Sequence, residues 1–542
     1  MKTRRDFLKV LFTCLAAGEY PLSIQAAQAA TGEGSPENAH GQAGKTAAKQ
    51  ASQPGRTLNV SEWFGDDFTI GHRFRNGEVP KDFPQQPERT LDFVIVGGGI
   101  GGLSAAHYLK DHNVLLLEQY NQLGGQARGG FYKSIGFSYG AAYVSNVDGI
   151  YGKLYEELGI KPEKLPAGDN TFFWNQKWYQ GITGPDKDAL YENFKLLMAA
   201  MSSTRKTLPE ADTPQAMSGE ALEKLDSIPL AATLKNCSQE FLQLVDSICK
   251  ASTCATTANI SAAAGYYLLE DLRSDNYCFK GGNPAISRAL VEKINASGGD
   301  RLQQGTFVWQ IKLNENGADV FYTSKDGQAH HVACKHVIVA TPHMLSWRLI
   351  SNLNDSMKLA LMPFQYGSYM VANFLLTKKI FKGAYDNFVN TSHNFADFVI
   401  SETPYEIAGK QFDNASVLTV YQPWEPGTAG RPLLLQGERQ ALAKVVNDDL
   451  SQLIEHLDDH LYEIVLSRWG HAMAVPSTGY YSRLRKIYAA YDGPYSLAHC
   501  STQGIPCAEA AIRAGKFAAE RARSMSTKTS MVVPLTINKS SG

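Results

Sequence analysis

Gly97, Gly99 and Gly102 are spaced G-x-G-x-x-G between the short apolar run 93–96 and an apolar stretch over 101–110. In such a turn the first glycine lets the chain reverse tightly. The second lets backbone come up to a pyrophosphate, and the third lets a helix lie against a strand. The free amides and the dipole at that helix N-terminus then face the anion. Glu118 follows Gly97 by 21 residues, at the end of a second apolar run, 114–117. An acid there accepts from the two hydroxyls of an adenosine ribose and repels a 2′-phosphate. The chemistry is dinucleotide binding, with NAD and FAD both open. A glycine turn that binds nothing is disfavoured, because strand, helix, second strand and acid all agree.

The elements that hold these residues are a strand buried on both faces, rich in β-branched residues, and a helix that packs back on it. Just beyond the acid, Leu123-Gly124-Gly125-Gln126-Ala127-Arg128 resembles the L-G-G-x-x-R segment of the flavin-containing amine oxidase and carotenoid desaturase superfamily. The resemblance moves the reading from NAD to FAD. It implies that Gly125 and Arg128 lie along the FAD diphosphate, where an arginine can pair with phosphate oxygens. Residues 70–77, IGHRFRNG, and 468–473, RWGHAM, resemble segments of spermidine-dehydrogenase-like flavoproteins. Taken alone, 70–77 also reads as a basic surface turn. The second segment reads as a cofactor-facing loop or as a packed turn.

Composition sets bounds on the rest. A chain of 542 residues is too long for one small core, and 44% hydrophobic with 19% charged residues describes a globular protein. A formal net charge of −1 gives no global attraction to nucleic acid or an anionic membrane. No apolar run of about 18 residues is present to span a bilayer. Thr3-Arg4-Arg5-Asp6-Phe7-Leu8-Lys9 matches a twin-arginine export signal, with a small-residue cleavage site at 27–29. Such signals carry proteins already folded around a cofactor, so the expected destination is the periplasm. Of eight cysteines, seven lie beyond Cys14 in that signal. An odd number leaves at least one thiol unpaired, and the absence of C-x-x-C and of paired histidines argues against a metal.

Along the chain, 31–57 reads as a disordered linker after the 1–30 signal. The resemblance implies a Rossmann-like FAD-binding domain of α/β class, interleaved with an α+β substrate domain containing a mixed or antiparallel sheet. The FAD domain takes 58–144, 271–344 and 485–525; the substrate domain takes 145–270 and 345–484; 526–542 is a tail. Helices are expected over 154–159, 189–208, 219–225, 241–254 and 285–295, with a long helix pair over 437–461. Alternation over 366–376 and 415–421 predicts an antiparallel sheet, the floor of the substrate cavity in this superfamily. The aromatic string 171–179 reads as packing within the substrate domain.

Further cofactor contacts follow from the resemblance. Ala142 belongs to the strand crossing beneath the flavin, Val308 to the strand reaching adenine through its backbone, and Cys507 with Ala508 to the turn and helix N-terminus at the flavin pyrimidine. Helix amides there meet the charge that accumulates on reduction. Arg348 falls where amine oxidases hold a water-ordering lysine. Tyr480 is expected to form one wall of an aromatic cage, and His499 either faces the cofactor or is a satisfied core histidine. The stretch 477–480 lacks the cysteine that carries covalent flavin in relatives, so FAD is expected to be non-covalent. The implied activity is oxidation of an amine, a polyamine among the options, by hydride transfer to flavin N5. The resulting imine hydrolyses, and the electrons go to oxygen or a periplasmic carrier. A polyamine would want carboxylates in the cavity, such as Glu270 or Asp271. A carotenoid-type desaturase or isomerase, or a non-catalytic flavin-binding partner protein, is the alternative. Neither oligomeric state nor disulfide pairing follows from the sequence.

Overall fold

The apolar run before the glycine turn becomes the strand Arg89–Val96, and its side chains alternate between two cores. Phe93 and Ile95 pack with Leu103, Leu116 and Ile512 on one side. Val94 and Val96 join a larger core with Leu115 and Leu117 on the other. Burial on both faces is what a central parallel strand requires. The computed structural model describes residues 57–166, 168–206, 208 and 219–530. The expected export signal, and all of the linker but residue 57, lie outside the described residues.

Arg89–Val96 runs parallel to Val114–Glu118 on one side and to Ala329–Val339 on the other. Leu302–Gln304 adds a parallel edge, Tyr495–Leu497 pairs alongside Ala329–Val339, and Gly317–Thr323 with Phe307–Asn314 complete the sheet in antiparallel sense. Helices Ile100–Tyr108, Pro284–Ala296 and the C-terminal Ala508–Ser530 cover one face. The C-terminal helix therefore runs five residues into the stretch expected to be a tail.

The second sheet has eight strands. Tyr366–Leu376 lies between Ser416–Trp424 and the fourteen-residue Leu461–Ala474, antiparallel to both. Asp397–Ile400, Asp386–Val389 and the hairpin Asn170–Trp174/Lys177–Gln180 extend it at one end; Phe64–Gly65 adds a parallel strand at the other. One face packs Met370, Phe374, Leu418 and Val420 against Leu442, Val446 and Leu450 of helix Arg439–Leu450. The opposite face carries Tyr369, Val371 and Tyr421 towards the first sheet.

Three local expectations change. Residues 70–77 are largely a helix, Thr69–Arg75, rather than a turn. The run RWGHAM belongs to the strand Leu461–Ala474, because Arg468 and Trp469 at one end and Met473 at the other pair with Met370, Tyr369 and Gly367, across a register shift between them. Instead of a long helix pair over 437–461, Arg439–Leu450 is followed by turns over 451–456 and then a single helical turn, Leu457–His460, entered from His456 at φ 60°. Among the described residues, no helix is long and apolar enough to cross a membrane.

Candidate functional site

Gly97 has φ +106°, which an L side chain rarely adopts, and this left-handed step turns the chain from strand into helix. A Cβ on Gly102 would sit 1.9 Å from the Gly97 carbonyl oxygen, so only glycine lets the helix come this close to the turn. Gly99 bridges to Gly124, which brings the second glycine pair against the first. The Gly98 amide donates to Glu118 Oε2 at 2.6 Å, and the Tyr120 amide donates to Glu118 Oε1 at 2.9 Å. Burial pushes this carboxyl up, opposed by the backbone donors and Arg128.

These residues open into one cavity of about 1700 Å³. It exceeds the roughly 300–1,000 Å³ of an ordinary ligand pocket, which suits a dinucleotide together with a second molecule. Gly97, Gly99, Glu118, Gly125, Ala142, Val308, Cys507 and Ala508 all line it. Segments far apart in sequence thus form one cradle. Its amides come from two helix N-termini, Ile100–Tyr108 and Ala508–Ser530. At the second, Cys507 Sγ accepts from the Ala510 amide at 3.3 Å. Glu509 accepts from the Ser145 and Asn146 amides, which ties the segment after Ala142 to this helix. Gly102 stands just behind the lining, in its helix-packing role.

Two expected contacts are placed differently. Arg128 is not among the lining residues. Its guanidinium donates to the carbonyls of Gly125 and Gly65, both at 2.8 Å, and lies over the rings of Tyr120 and Trp469. It supports the glycine turn from behind, tying the Gly125 carbonyl to that of Gly65 on the edge strand. Tyr480 is fully buried rather than a cage wall, with its hydroxyl donating to the carbonyls of Ser501 and Gly504. It begins the helix Tyr480–Ala489, and the next residue, Tyr481, is the one that reaches the cavity.

Arg348 does line the cavity, on the short helix His343–Leu349. It stacks on Trp347, donates to the Met344 carbonyl, and has Arg75 as a neighbouring charge. His499 also lines the cavity. Its Nδ1 meets Ser501 Oγ at 2.6 Å, and that hydroxyl in turn meets His343 Nε2 at 2.9 Å. Burial lowers His499 to about 4 and, joined by Arg431, His72 and Arg75, His471 to about 3, so both stay neutral near pH 7.

The cavity continues from the cradle onto the eight-stranded sheet. Trp469 Nε1 donates to the Tyr139 carbonyl at 2.7 Å, Tyr421 to that of Gly140 at 2.9 Å, and Tyr385 to that of Ala142 at 3.3 Å. These bonds fasten residues 139–142 to the sheet. Beyond them the floor presents Tyr369, Tyr421, Asp386 and Asp397, with Glu270 and Asp271 on a side wall. Burial pushes Asp271 up to about 7. The sequence reading named Glu270 and Asp271 without placing them, and missed Asp386 and Asp397. The available signal was an aspartate opening each of two short strands that end in apolar residues, DNFV and DFVI. Among the described residues, no cluster of three or more His, Cys, Asp or Glu is placed to hold a metal.

The family model described as flavin containing amine oxidoreductase matches residues 100–523. The horse (Equus caballus) amine oxidase [flavin-containing] A is 25% identical over 295 residues, covering 48% of this chain and 51% of that protein. The chain thus spans about half the length of that curated relative. A putrescine oxidase triple mutant, redesigned for cofactor binding, superposes with a TM-score of 0.64 at 19% identity, covering 80% of this chain and 99% of the other. Cyclohexylamine oxidase from Brevibacterium oxydans IH-35A gives 0.63 at 18%, with the same coverage. At that identity the two structures speak for the fold.

Proposed function

Because this chain belongs to the flavin-containing amine oxidoreductase family, we propose that it is an exported FAD-dependent enzyme that oxidises a small-molecule amine. The observation that carries the reading is the single cavity joining the dinucleotide cradle to a floor of tyrosines and carboxyl groups. FAD held there supplies a two-electron acceptor for the hydride of the amine-bearing carbon, leaving an imine that water hydrolyses.

The chain's own residues orient and shield. Glu118 would hold the ribose, the Ile100 and Ala508 helix N-termini would offer amides to the diphosphate and the pyrimidine end, and residues 139–142, tied to the floor through Tyr421, would set its distance from that floor. Tyr369 and Tyr421 give a wall with few exposed donors, since their hydroxyls are engaged with the carbonyls of Ala251 and Gly140. Neither His471 nor His499 is poised near pH 7, and burial with the neighbouring Arg75 also lowers His72, the third lining histidine, from its ordinary value. That suits a step needing a neutral amine, alignment and a dry site more than a strong base. FAD is non-covalent in this reading, and the electrons pass to oxygen or to a periplasmic carrier.

The test is anaerobic mixing of the purified yellow protein with polyamines, monoamines and amino acids, following flavin absorbance. Bleaching by amines is expected. Bleaching by a non-amine with none by any amine would overturn the proposal.

A further inference from the structure

His499 follows the strand Tyr495–Leu497 at the cofactor end of the cavity. Ala498, just before it, packs where the first turns of the two cradle helices meet: a Cβ on Gly101 would lie 2.0 Å from the Ala498 oxygen and 3.5 Å from that of Ala511. The His499 ring caps the short turn Cys500–Thr502, with Nδ1 accepting from the Ser501 amide at 3.3 Å and meeting the Ser501 hydroxyl at 2.6 Å. Only Nδ1 can reach an amide two residues on, because Nε2 lies on the far side of the ring. Behind Ser501 stands His343, fully buried, with Nε2 2.9 Å from Ser501 Oγ and Nδ1 without a partner. Tyr366, beside Ser501, braces this group by accepting from the His343 amide at 2.8 Å.

These contacts decide where the protons sit. A main-chain amide can only donate, so His499 Nδ1 is bare and the neutral ring carries its proton on Nε2. The Ser501 hydroxyl donates to the same nitrogen, and its oxygen then accepts from His343 Nε2. The nitrogen left bare on His343 is the unpartnered Nδ1. Burial lowers His499 to about 4 and, with His499 as a neighbour, lowers His343 as well, so near pH 7 neither ring holds a second proton that would reverse the chain. His499 Nε2 has no hydrogen-bond partner among the described residues, and its ring is part-exposed on the cavity. A cap alone explains this poorly: serine or asparagine would cap the turn without a buried histidine behind it or a donor left open on the cavity side.

We propose that Ser501 and His343 lock His499 as a hydrogen-bond donor to bound FAD, its Nε2–H given to an acceptor oxygen of the cofactor. This rests on the FAD-binding, amine-oxidising reading above and deepens it. The opposite tautomer would turn a lone pair towards that oxygen, a repulsive contact, so fixing the proton on Nε2 is what makes the residue useful there. A donor held in place before the cofactor arrives costs no reorganisation on binding, and a neutral ring adds no positive charge beside an incoming amine. His499 is the residue that touches the cofactor; Ser501 and His343 are positioning residues.

Two matched substitutions separate the cap from the donor. His499→Asn keeps an acceptor at the Nδ1 position and loses the reach to the cavity; His499→Gln keeps a donor at the Nε2 position and loses the cap. FAD titration of the apoproteins is expected to show binding weakened at least about tenfold in His499→Asn, the scale of one buried hydrogen bond, and largely kept in His499→Gln. Ser501→Ala is expected to lose part of the same affinity, and Ser501→Thr, which keeps the hydroxyl, to restore it. The midpoint potential of the bound flavin locates the acceptor. A fall of about 30 mV in His499→Asn, a tenfold change for two electrons, puts it on the flavin ring, and an unmoved potential puts it on the ribityl or diphosphate chain. Near-UV circular dichroism shows whether each variant has folded. Independently of any variant's stability, 15N NMR of the histidine-labelled wild-type holoenzyme is expected to show the His499 ring protonated on Nε2 alone. Wild-type affinity and potential in a folded His499→Asn, or a ring protonated on Nδ1, overturns the proposal while leaving FAD binding and amine oxidation in place. A wild type that takes up no FAD, or whose flavin no amine bleaches, overturns the underlying reading instead.

Discussion

Glu118 is only 5% exposed, and both of its oxygens already hold main-chain amides of the glycine turn and of the strand end. It therefore orders the cradle as well as meeting the ribose. In Glu118→Ala two buried donors lose their acceptor, each costing about 1–3 kcal/mol. FAD affinity is expected to fall by about tenfold or more, measured by flavin titration of the apoprotein, and Glu118→Gln should fall between the two because it keeps one acceptor oxygen. An unchanged affinity in the alanine variant would count against the acid's place in the site. Tyr480 and Tyr481 make a related point. Successive helical residues diverge by about 100°, so one hydroxyl braces the core while the neighbouring ring, packed edge-on to Tyr267, faces the cavity. Sequence spacing located the segment but not the phase of its helix.

At the scale of elements, the site depends on two helices whose N-termini point into the same cavity. They cross where Gly515 of Ala508–Ser530 meets the backbone of Ile100–Tyr108. A Cβ on Gly515 would lie 2.4 Å from the Gly101 carbonyl oxygen and 2.9 Å from the Ala105 nitrogen, and a Cβ on Gly101 would lie 2.0 Å from the Ala498 oxygen. Backbone atoms yield little, so Gly515→Ala is expected to destabilise by about 1–3 kcal/mol, the usual range for overpacking. Thermal unfolding of the holoenzyme should show a lowered Tm, and more flavin should be lost on dialysis because the Ala508 amides shift with the helix. A variant as stable as wild type that retained its flavin would show that this crossing is not tight in solution.

For the whole molecule, the flavin cradle draws on residues 97–142, 308 and 507–508, so it closes only when nearly the entire chain has folded. The proposed twin-arginine signal would match that requirement, because that route exports folded proteins with their cofactor already bound. Replacing Arg4 and Arg5 with lysine is expected to keep the flavoprotein in the cytoplasm. The exported wild type should begin after Ala29 or Ala30 by intact mass. Periplasmic delivery of the lysine variant would remove the case for this route.

What the sequence determined by itself is the glycine turn and the elements that flank it, one wall of the cradle. Strand, turn, helix, second strand and acid follow one another between Phe93 and Glu118, and the sterics of consecutive residues, above all at Gly97 and Gly102, dictate their geometry with little help from the rest of the chain. The alternating strands 366–376 and 415–421 were legible for the same reason. Tertiary structure decided which side chains share the cavity. Asp386 and Asp397 face the same way only because their strands pair in one register, and a slip of one residue would turn either aspartate to the opposite face. Arg128 stands behind the diphosphate turn because the Gly65 carbonyl, delivered by an edge strand on Leu461–Ala474, takes one of its donors. Contacts of that kind join residues 63 to more than 400 positions apart. Their physical basis is strand register and helix phase, which short-range spacing does not encode.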